Sequence, residues 1–219
     1  MIVTRRDFAT VLSVVGLAAV AALTPRLIGD AVAQSAAAAL VAKPGSLADM
    51  ALGPAKAPVT IVEYASMSCP HCAAFEQNVL PMLRLKYIDT GKVRFVFREF
   101  PLDINAAAAS MLARCIAGDD AEKFFATISL LFKLQEQLMA QTLVTLRMIG
   151  KQAAGMDEQA VEACEKNQAQ LDKIAADQKF AFETLKVDAT PTFFVNGEKL
   201  KGAMSFEELD AKIKSLLKR

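Results

Sequence analysis

The alternation of apolar and polar positions divides most of the chain into strands and helices in a definite order. Residues 59–65 form a compact apolar run rich in β-branched side chains, which predicts a strand buried on both faces. Residues 70–80 carry apolar side chains at helical spacing, and residues 93–98 alternate like a second strand. Pro70 suits a first helical turn, whereas Pro81 predicts a kink or a restart. The pattern therefore begins as strand, helix, strand.

A long helical region follows. Between residues 102 and 190 there is no proline, and the composition favours Ala, Leu, Gln, Glu and Lys. We expect four or five helices here, with Asn105, Asp119 and Asp157 as N-cap residues.

The C-terminal part of the chain returns to strand and ends in helix. Residues 190–195 and 198–201 predict two strands joined by the two-residue turn Asn196-Gly197. Ser205 and Glu208 have the spacing of a capping box before an amphipathic final helix. The complete order is βαβ, a helical block, then ββα.

The N-terminal segment predicts export. A twin-arginine pair, Arg5-Arg6, precedes a modestly apolar run, and an A-x-A sequence ends at Ala33. We therefore predict a signal peptide over residues 1–33, cleaved after Ala33, and a periplasmic location. An uncleaved anchor is disfavoured because the apolar run is shorter than the roughly 20 residues that a spanning helix needs. The arginine pair favours the twin-arginine export route over the general secretory route.

Charge and length narrow the function further. Cleavage would remove three arginines and two aspartates from the 25 basic and 24 acidic residues, leaving 22 of each. A net charge of zero gives no indication of nucleic-acid binding. Residues 34–46 are predicted to be a short leader, too short for a separate dimerisation domain, and we expect a monomer.

The sequence Cys69-Pro70-His71-Cys72 carries the chemistry. It places two thiols one helical turn apart directly after a buried strand, and His71 is the only histidine of the chain. The N-terminus of a helix stabilises a thiolate through its dipole and its free N–H groups, and a hydrogen-bonding His71 would add to this. In an exported protein, such a pair predicts thiol–disulfide exchange.

These motifs together resemble those of the DsbA family of periplasmic disulfide oxidoreductases. The shared features are the Pro-His dipeptide between the cysteines, Thr190-Pro191 ahead of the hairpin, and Glu63 six residues before the first cysteine. The resemblance runs from about residue 47 to the end of the chain. It implies an α/β, thioredoxin-like fold interrupted by an all-helical insertion. The implied parts are a thioredoxin-like domain of residues 47–102 and 187–219, and an insertion of residues 103–186.

The resemblance also implies roles. Cys69 would be the exposed nucleophile, Cys72 the buried resolving cysteine, and Pro191 a cis-proline packed against them. The pair would donate its disulfide, through a mixed disulfide, to exported proteins with free cysteines. A quinone-linked membrane protein would reoxidise it, and neither a cofactor nor a metal is implied. Thr190 departs from the apolar residue of the best-known oxidases and matches some isomerases, so an isomerase or reductase is the alternative activity.

Two questions stay open at the level of the residues. Glu63 is unusual in a buried strand, and it is either a proton acceptor for Cys72 or the partner of Arg94 or Arg98 in a structural ion pair. The two remaining cysteines are expected to form a structural disulfide, although two separate buried thiols are the alternative. These two cysteines are Cys115 and Cys164.

Other functional classes fit less well. Met67 and the two cysteines also match the M-x-C-x-x-C pattern of Cu(I) carriers, but such carriers are usually small domains without a helical block. A structural zinc site and a non-enzymatic peptide-binding chaperone are weaker alternatives. Met67 is predicted to line a substrate groove, whereas Phe75, Phe193 and Phe194 are predicted to be core residues.

Overall fold

The computed structural model describes residues 38–218. The predicted signal peptide, the first residues of the predicted leader and residue 219 lie outside the described residues. A five-stranded mixed sheet in the order β1-β3-β2-β4-β5 forms the centre. Its strands are β1 (Met50–Leu52), β2 (Val59–Ala65), β3 (Val93–Glu99), β4 (Thr192–Val195) and β5 (Glu198–Lys201). Only β2 and β3 pair in parallel, and the other neighbours are antiparallel.

Helices connect and cover the strands. Residues 38–41 are helical. The helices that lie wholly within the described residues are α1 (Pro70–Asn78), α2 (Leu80–Leu83), α3 (Ile104–Ala117), α4 (Ala121–Lys133), α5 (Gln135–Ala140), α6 (Thr142–Ala154), α7 (Glu158–Glu165), α8 (Gln168–Glu183) and α9 (Phe206–Leu217). A π-helical segment, Arg84–Ile88, continues α2. From β2 onward the predicted order of strands and helices is confirmed, but the short strand β1 was not predicted. No described helix has the length and hydropathy needed to cross a membrane.

The number of helices between β3 and β4 was underestimated. The structure has six where four or five were predicted, because single residues, Leu134 and Gln141, separate α4 from α5 and α5 from α6. Neither break contains the glycine or proline that usually marks a helix end in a sequence.

Local capping explains where the helices begin. Asp157 caps α7 as predicted, but Asn105 and Asp119 are not caps. Asp103 and Asp120 take these positions instead, and their side chains accept the N–H groups three residues further on. Both have extended backbone angles, which an N-cap requires and which a residue within the helix cannot supply.

The C-terminal signals are confirmed. Asn196 and Gly197 both have positive φ angles, 46° and 83°, as the tight turn between β4 and β5 requires. The side chain of Ser205 accepts the backbone N–H of Glu208, and the Glu208 carboxylate accepts the backbone N–H of Ser205. This capping box starts α9 as expected.

The sheet separates two apolar clusters. One face carries Phe95 and Phe97, whose rings lie 6.0 Å from Phe125 and 5.7 Å from Phe124 respectively. The helical region between β3 and β4 therefore shares a core with the sheet through α4. The opposite face packs the side chains of β2, β3 and β4 against the end of α8 and the segment that follows it.

Candidate active site

The candidate site lies at the carboxyl end of β2, where the chain turns into α1. The turn begins at Ser66, whose carbonyl accepts the N–H of Cys69 at 3.1 Å. Cys69 then acts as the N-cap of α1, with extended angles of φ −85° and ψ 116°, and Pro70 occupies the first turn. Pro70 lacks an N–H, so the first helical position has no donor to leave unpaired. The local sequence thus presents the Cys69 side chain to the N-terminus of a helix.

Two backbone groups approach the Cys69 sulfur from different elements. The N–H of Cys72 donates to Sγ at 3.3 Å, and Sγ lies 3.4 Å from the carbonyl oxygen of Thr190. The pKa of Cys69 is lowered from 9.0 to about 6. The largest cause is the hydrogen bond with the Cys72 side chain; burial opposes the shift, and the backbone N–H groups of Cys72 and His71 lower the pKa further. Cys69 is therefore largely a thiolate at neutral pH.

The accessibility of Cys69 differs from the expectation. Cys69 is buried, with 4% of its surface exposed, whereas the neighbouring Pro70 and His71 are exposed. The start of α1 and the Thr190 carbonyl cover the sulfur, so it is not the exposed thiol that was predicted. His71 contributes to the low pKa through its backbone N–H, while its side chain lies at the surface.

Cys72 has the opposite electrostatic character. It is 1% exposed, and its pKa is raised far above the ordinary value. Burial is the largest cause, followed by the hydrogen bond with Cys69 and by the negative charges of Glu63 and Cys69. Both cysteines are free thiols in this structure. The pair thus combines one thiol of lowered pKa with one of raised pKa, a single helical turn apart.

The segment before β4 forms the other wall of the site. The Thr190-Pro191 peptide bond is cis, and it presents the Thr190 carbonyl to Cys69. The Thr190 hydroxyl is buried and has no hydrogen-bond partner among the described residues. The loop is held by Thr192, whose hydroxyl donates to the Ala189 carbonyl at 2.7 Å, and by the N–H of Gly202, which donates to the Pro191 carbonyl at 3.0 Å. The fold thereby brings two regions of sequence about 120 residues apart into contact.

Glu63 lies beneath the dithiol and has no ion-pair partner in the part of the chain that the structure describes. It is 2% exposed, its Oε1 atom has no hydrogen-bond partner among the described residues, and its pKa is raised well above the usual range. Burial is the largest cause, followed by the charges of Glu76 and Cys69. The proposed pair with Arg94 or Arg98 is wrong, because the pleat places both arginines on the opposite face of the sheet.

The partners of Arg98 support this correction. Its guanidinium donates to Asp49 at 2.8 Å and to the Tyr64 hydroxyl at 2.9 Å. Tyr64 follows Glu63 in β2, so its side chain projects from the other face. The only prediction for Glu63 that remains is a role in proton transfer.

Two residues near the site were missed from the sequence. Glu76 is 8% exposed, and burial raises its pKa to about 7. It lies four residues after Cys72 and seven after Cys69, on the same side of α1, and this spacing was visible in the sequence. Gln135 contacts the active-site turn from α5, and no local signal marks it.

The predictions for the apolar residues near the site are confirmed in part. Phe75, Phe193 and Phe194 are core residues as predicted, with exposures of 3%, 0% and 2%. Met67 was predicted to line a groove, and this is wrong, because only 1% of its surface is exposed. Its side chain belongs to the apolar cluster under the active-site turn.

The remaining cysteines lie in the helical region, away from the dithiol. Cys115 of α3 and Cys164 of α7 are joined by a disulfide in this structure, with Cα atoms 5.8 Å apart. The two cysteines are 49 positions apart in sequence, so the bond ties together two helices that are not consecutive.

A C-x-x-C pair at the start of a helix, opposite an X-Pro loop and on a mixed sheet of this order, defines a thioredoxin-like dithiol site. A family model described as thioredoxin matches residues 46–215, and the chain belongs to this family. The fold resembles a crystal structure of a variant of α-DsbA1 from Wolbachia pipientis, with a TM-score of 0.75 and 29% identity, over 82% of this chain and 95% of the other. The predicted likeness to DsbA proteins and the predicted fold class are thereby confirmed.

Two further proteins are similar to this chain, one in structure and one in sequence. A crystal structure of a protein-disulfide isomerase from Novosphingobium aromaticivorans matches with a TM-score of 0.67 and 25% identity, covering 79% of this chain and all of the other. A Rickettsia felis protein, named as a candidate protein-disulfide oxidoreductase, is 34% identical over 151 residues, which are 68% of this chain and 53% of that protein. The chain thus spans about half the length of this curated relative.

Proposed function

We propose that this protein is a thiol:disulfide oxidoreductase that donates a Cys69–Cys72 disulfide to cysteines of exported proteins in the periplasm. The observation that carries the proposal is the contrast between the two thiols, since the pKa of Cys69 is lowered to about 6 while that of Cys72 is raised. A disulfide whose reduced form contains a stabilised thiolate is more easily reduced and is therefore a stronger oxidant. The named relatives support the same chemistry.

The exchange proceeds in two balanced steps. A substrate thiolate attacks Cys69 Sγ, the Cys69–Cys72 bond breaks, and Cys72 leaves with the electron pair. A second substrate thiolate then attacks the substrate sulfur of the mixed disulfide and releases Cys69 as a thiolate. The substrate loses two electrons and gains a disulfide, and the protein gains the two electrons as a dithiol. Cys69 is the better leaving group in the second step because its thiol is the more acidic.

Glu63 handles the proton of Cys72 in this scheme. The raised pKa of Glu63 keeps its carboxyl group protonated at a pH where an ordinary glutamate is ionised. It donates this proton to Cys72 when that thiol leaves, and accepts it again when the disulfide is re-formed. Burial excludes water from Cys72, so an internal proton donor is needed.

Thr190 and Pro191 are proposed to receive the substrate. Their loop borders the same sulfur that the substrate attacks, and the polar Thr190 side chain would influence the choice between oxidase and isomerase activity. We propose that a quinone-linked membrane protein reoxidises the pair and that the protein acts as a monomer. The oxidase activity is favoured over the isomerase because of the acidity of Cys69.

The test is to trap the mixed disulfide and to measure the reduction potential. Cys72→Ser, with Cys69 first converted to a mixed disulfide with thionitrobenzoate, should release thionitrobenzoate and accumulate a mixed disulfide with a one-cysteine peptide, whereas Cys69→Ser treated in the same way should trap none, as read by mass spectrometry. The double variant Cys115→Ser/Cys164→Ser is the control and should exchange like the wild type. Equilibration with glutathione should give a potential nearer to about −120 mV than to about −270 mV. A potential near the lower value, or adducts only on the other cysteine pair, would contradict the proposal.

A further inference from the structure

Gln135 links the helical region directly to the active-site turn. Its amide nitrogen donates to the carbonyl oxygens of Met67 at 2.8 Å and of Cys69 at 3.0 Å. A side-chain amide has two N–H donors, so both are used on this one turn. Gln135 is the first residue of α5, and the change of direction at Leu134 lets its side chain reach across.

The carbonyl of Cys69 also takes part in the hydrogen bonding of the sulfur. It accepts the N–H groups of Cys72 and Ala73, each at 3.1 Å. The Cys72 N–H is shared, because it also points to Cys69 Sγ at 3.3 Å. The carbonyl oxygen and the sulfur of the same residue therefore compete for one donor.

We propose that Gln135 is a positioning residue for Cys69, which holds the Met67–Cys69 turn and, by donating to the Cys69 carbonyl, leaves the Cys72 N–H more available to the sulfur. Without the amide, the carbonyl takes a larger share of this N–H, and the turn that places Sγ beside the helix start loses its two tethers. The effect on exchange rests on the proposed function, whereas the effect on the thiol does not.

The helical region shares a core with the sheet, but this packing alone does not require a hydrogen bond to the active-site turn. The tether from Gln135 therefore gives the helical region a second role. A tether from α5 makes the acidity of Cys69 depend on how the helices sit on the sheet. Among ionisable side chains, that of Cys72 is hydrogen-bonded to Cys69 and that of Glu63 on β2 interacts with it electrostatically, whereas Gln135 carries no charge. Its removal therefore changes hydrogen bonding without changing the local charge.

The experiment compares Gln135→Met with a matched control, Gln170→Met. Gln170 is also half-buried, and its amide donates to a single backbone carbonyl, that of Met111, at 2.9 Å within the helical region. The reduced proteins are titrated by thiolate absorbance, and their potentials are measured against glutathione. Loss of the tether should make the acid dissociation constant of Cys69 about tenfold smaller and should lower the reduction potential, while Gln170→Met should titrate like the wild type.

Two results would overturn the inference. The first is an unchanged Cys69 titration in Gln135→Met, whatever its melting temperature, and the second is an equal change in Gln170→Met. Gln135→Ala provides a second variant if the thioether perturbs folding, which circular dichroism monitors. The titration needs no substrate, so it decides the role of Gln135 even if the wild-type protein fails to oxidise peptides, and that failure would count only against the proposed function.

Discussion

The acidity of Cys69 predicts a pH-dependent stability of the reduced protein. The folded state lowers the pKa of this thiol from 9.0 to about 6. Because the pKa is depressed on folding, the stabilisation is complete above the unfolded pKa and disappears as the pH falls through about 6. Linkage gives upper values of about 2.7 kcal/mol at pH 8, about 1.4 kcal/mol at pH 7 and almost nothing at pH 5.

Solvent near the exposed residues Pro70 and His71 screens part of this interaction. We therefore expect roughly half of the upper values for the stabilising free energy. The free energy of unfolding of the reduced wild type, minus that of Cys69→Ala, should then increase by about 1–2 kcal/mol from pH 5 to pH 8. The same thiolate should raise the reduction potential by about 15–30 mV at pH 7.

Urea unfolding at several pH values measures the difference. Both proteins are unfolded in the same reducing buffer, so any opening of the Cys115–Cys164 disulfide affects both equally. Cys72 remains in both and is protonated throughout this range because its pKa is raised. A stability difference that stays constant between pH 5 and pH 8 would refute the argument that folding stabilises the thiolate.

Three further predictions concern buried groups. The stability of Glu63→Gln relative to the wild type should rise by about 1–3 kcal/mol as the pH increases from 4 to 8, because a carboxyl with a raised pKa costs stability above its unfolded pKa; a difference that stays constant over this range would contradict this. Arg114→Met should cost about 3–5 kcal/mol in urea unfolding, because Arg114 donates to buried Glu99 at 2.5 and 2.8 Å, and adding Glu99→Gln should restore part of the loss. Replacing Cys115 and Cys164 by alanine should cost about 4 kcal/mol through the 49-residue loop, with no change in the Cys69 titration, and a variant that melts like the wild type would show that the bond adds nothing.

The sequence predicted the fold where periodicity and turn chemistry act locally. The apolar run of β2, the Asn196-Gly197 turn and the Ser205 capping box are decided within a few residues, and each has the predicted structure. The breaks at Leu134 and Gln141 were missed because neither contains a helix-breaking residue. A break of this kind has no short sequence signature.

The site was predictable only to the extent that its residues are neighbours in sequence. Cys69 and Cys72 form a recognisable motif at a helix start. The lack of an ion pair at Glu63 within residues 38–218 and the burial of Met67 depend on which face of an element meets the core. Gln135 lies 66 residues after Cys69, and nothing in its own segment indicates the carbonyl groups that it binds.

The pairing of β2 with β4 has a consequence for the order of synthesis. The strand that leads to Cys69 acquires β3 as a neighbour early, but β4 and the Thr190 carbonyl follow more than a hundred residues later. At about 5–20 residues per second, the ribosome needs roughly 6–24 seconds to add them. During this interval the cysteine pair has been made but lacks one wall of its site. The cysteine pair is therefore synthesised well before the loop that completes the second wall of its site.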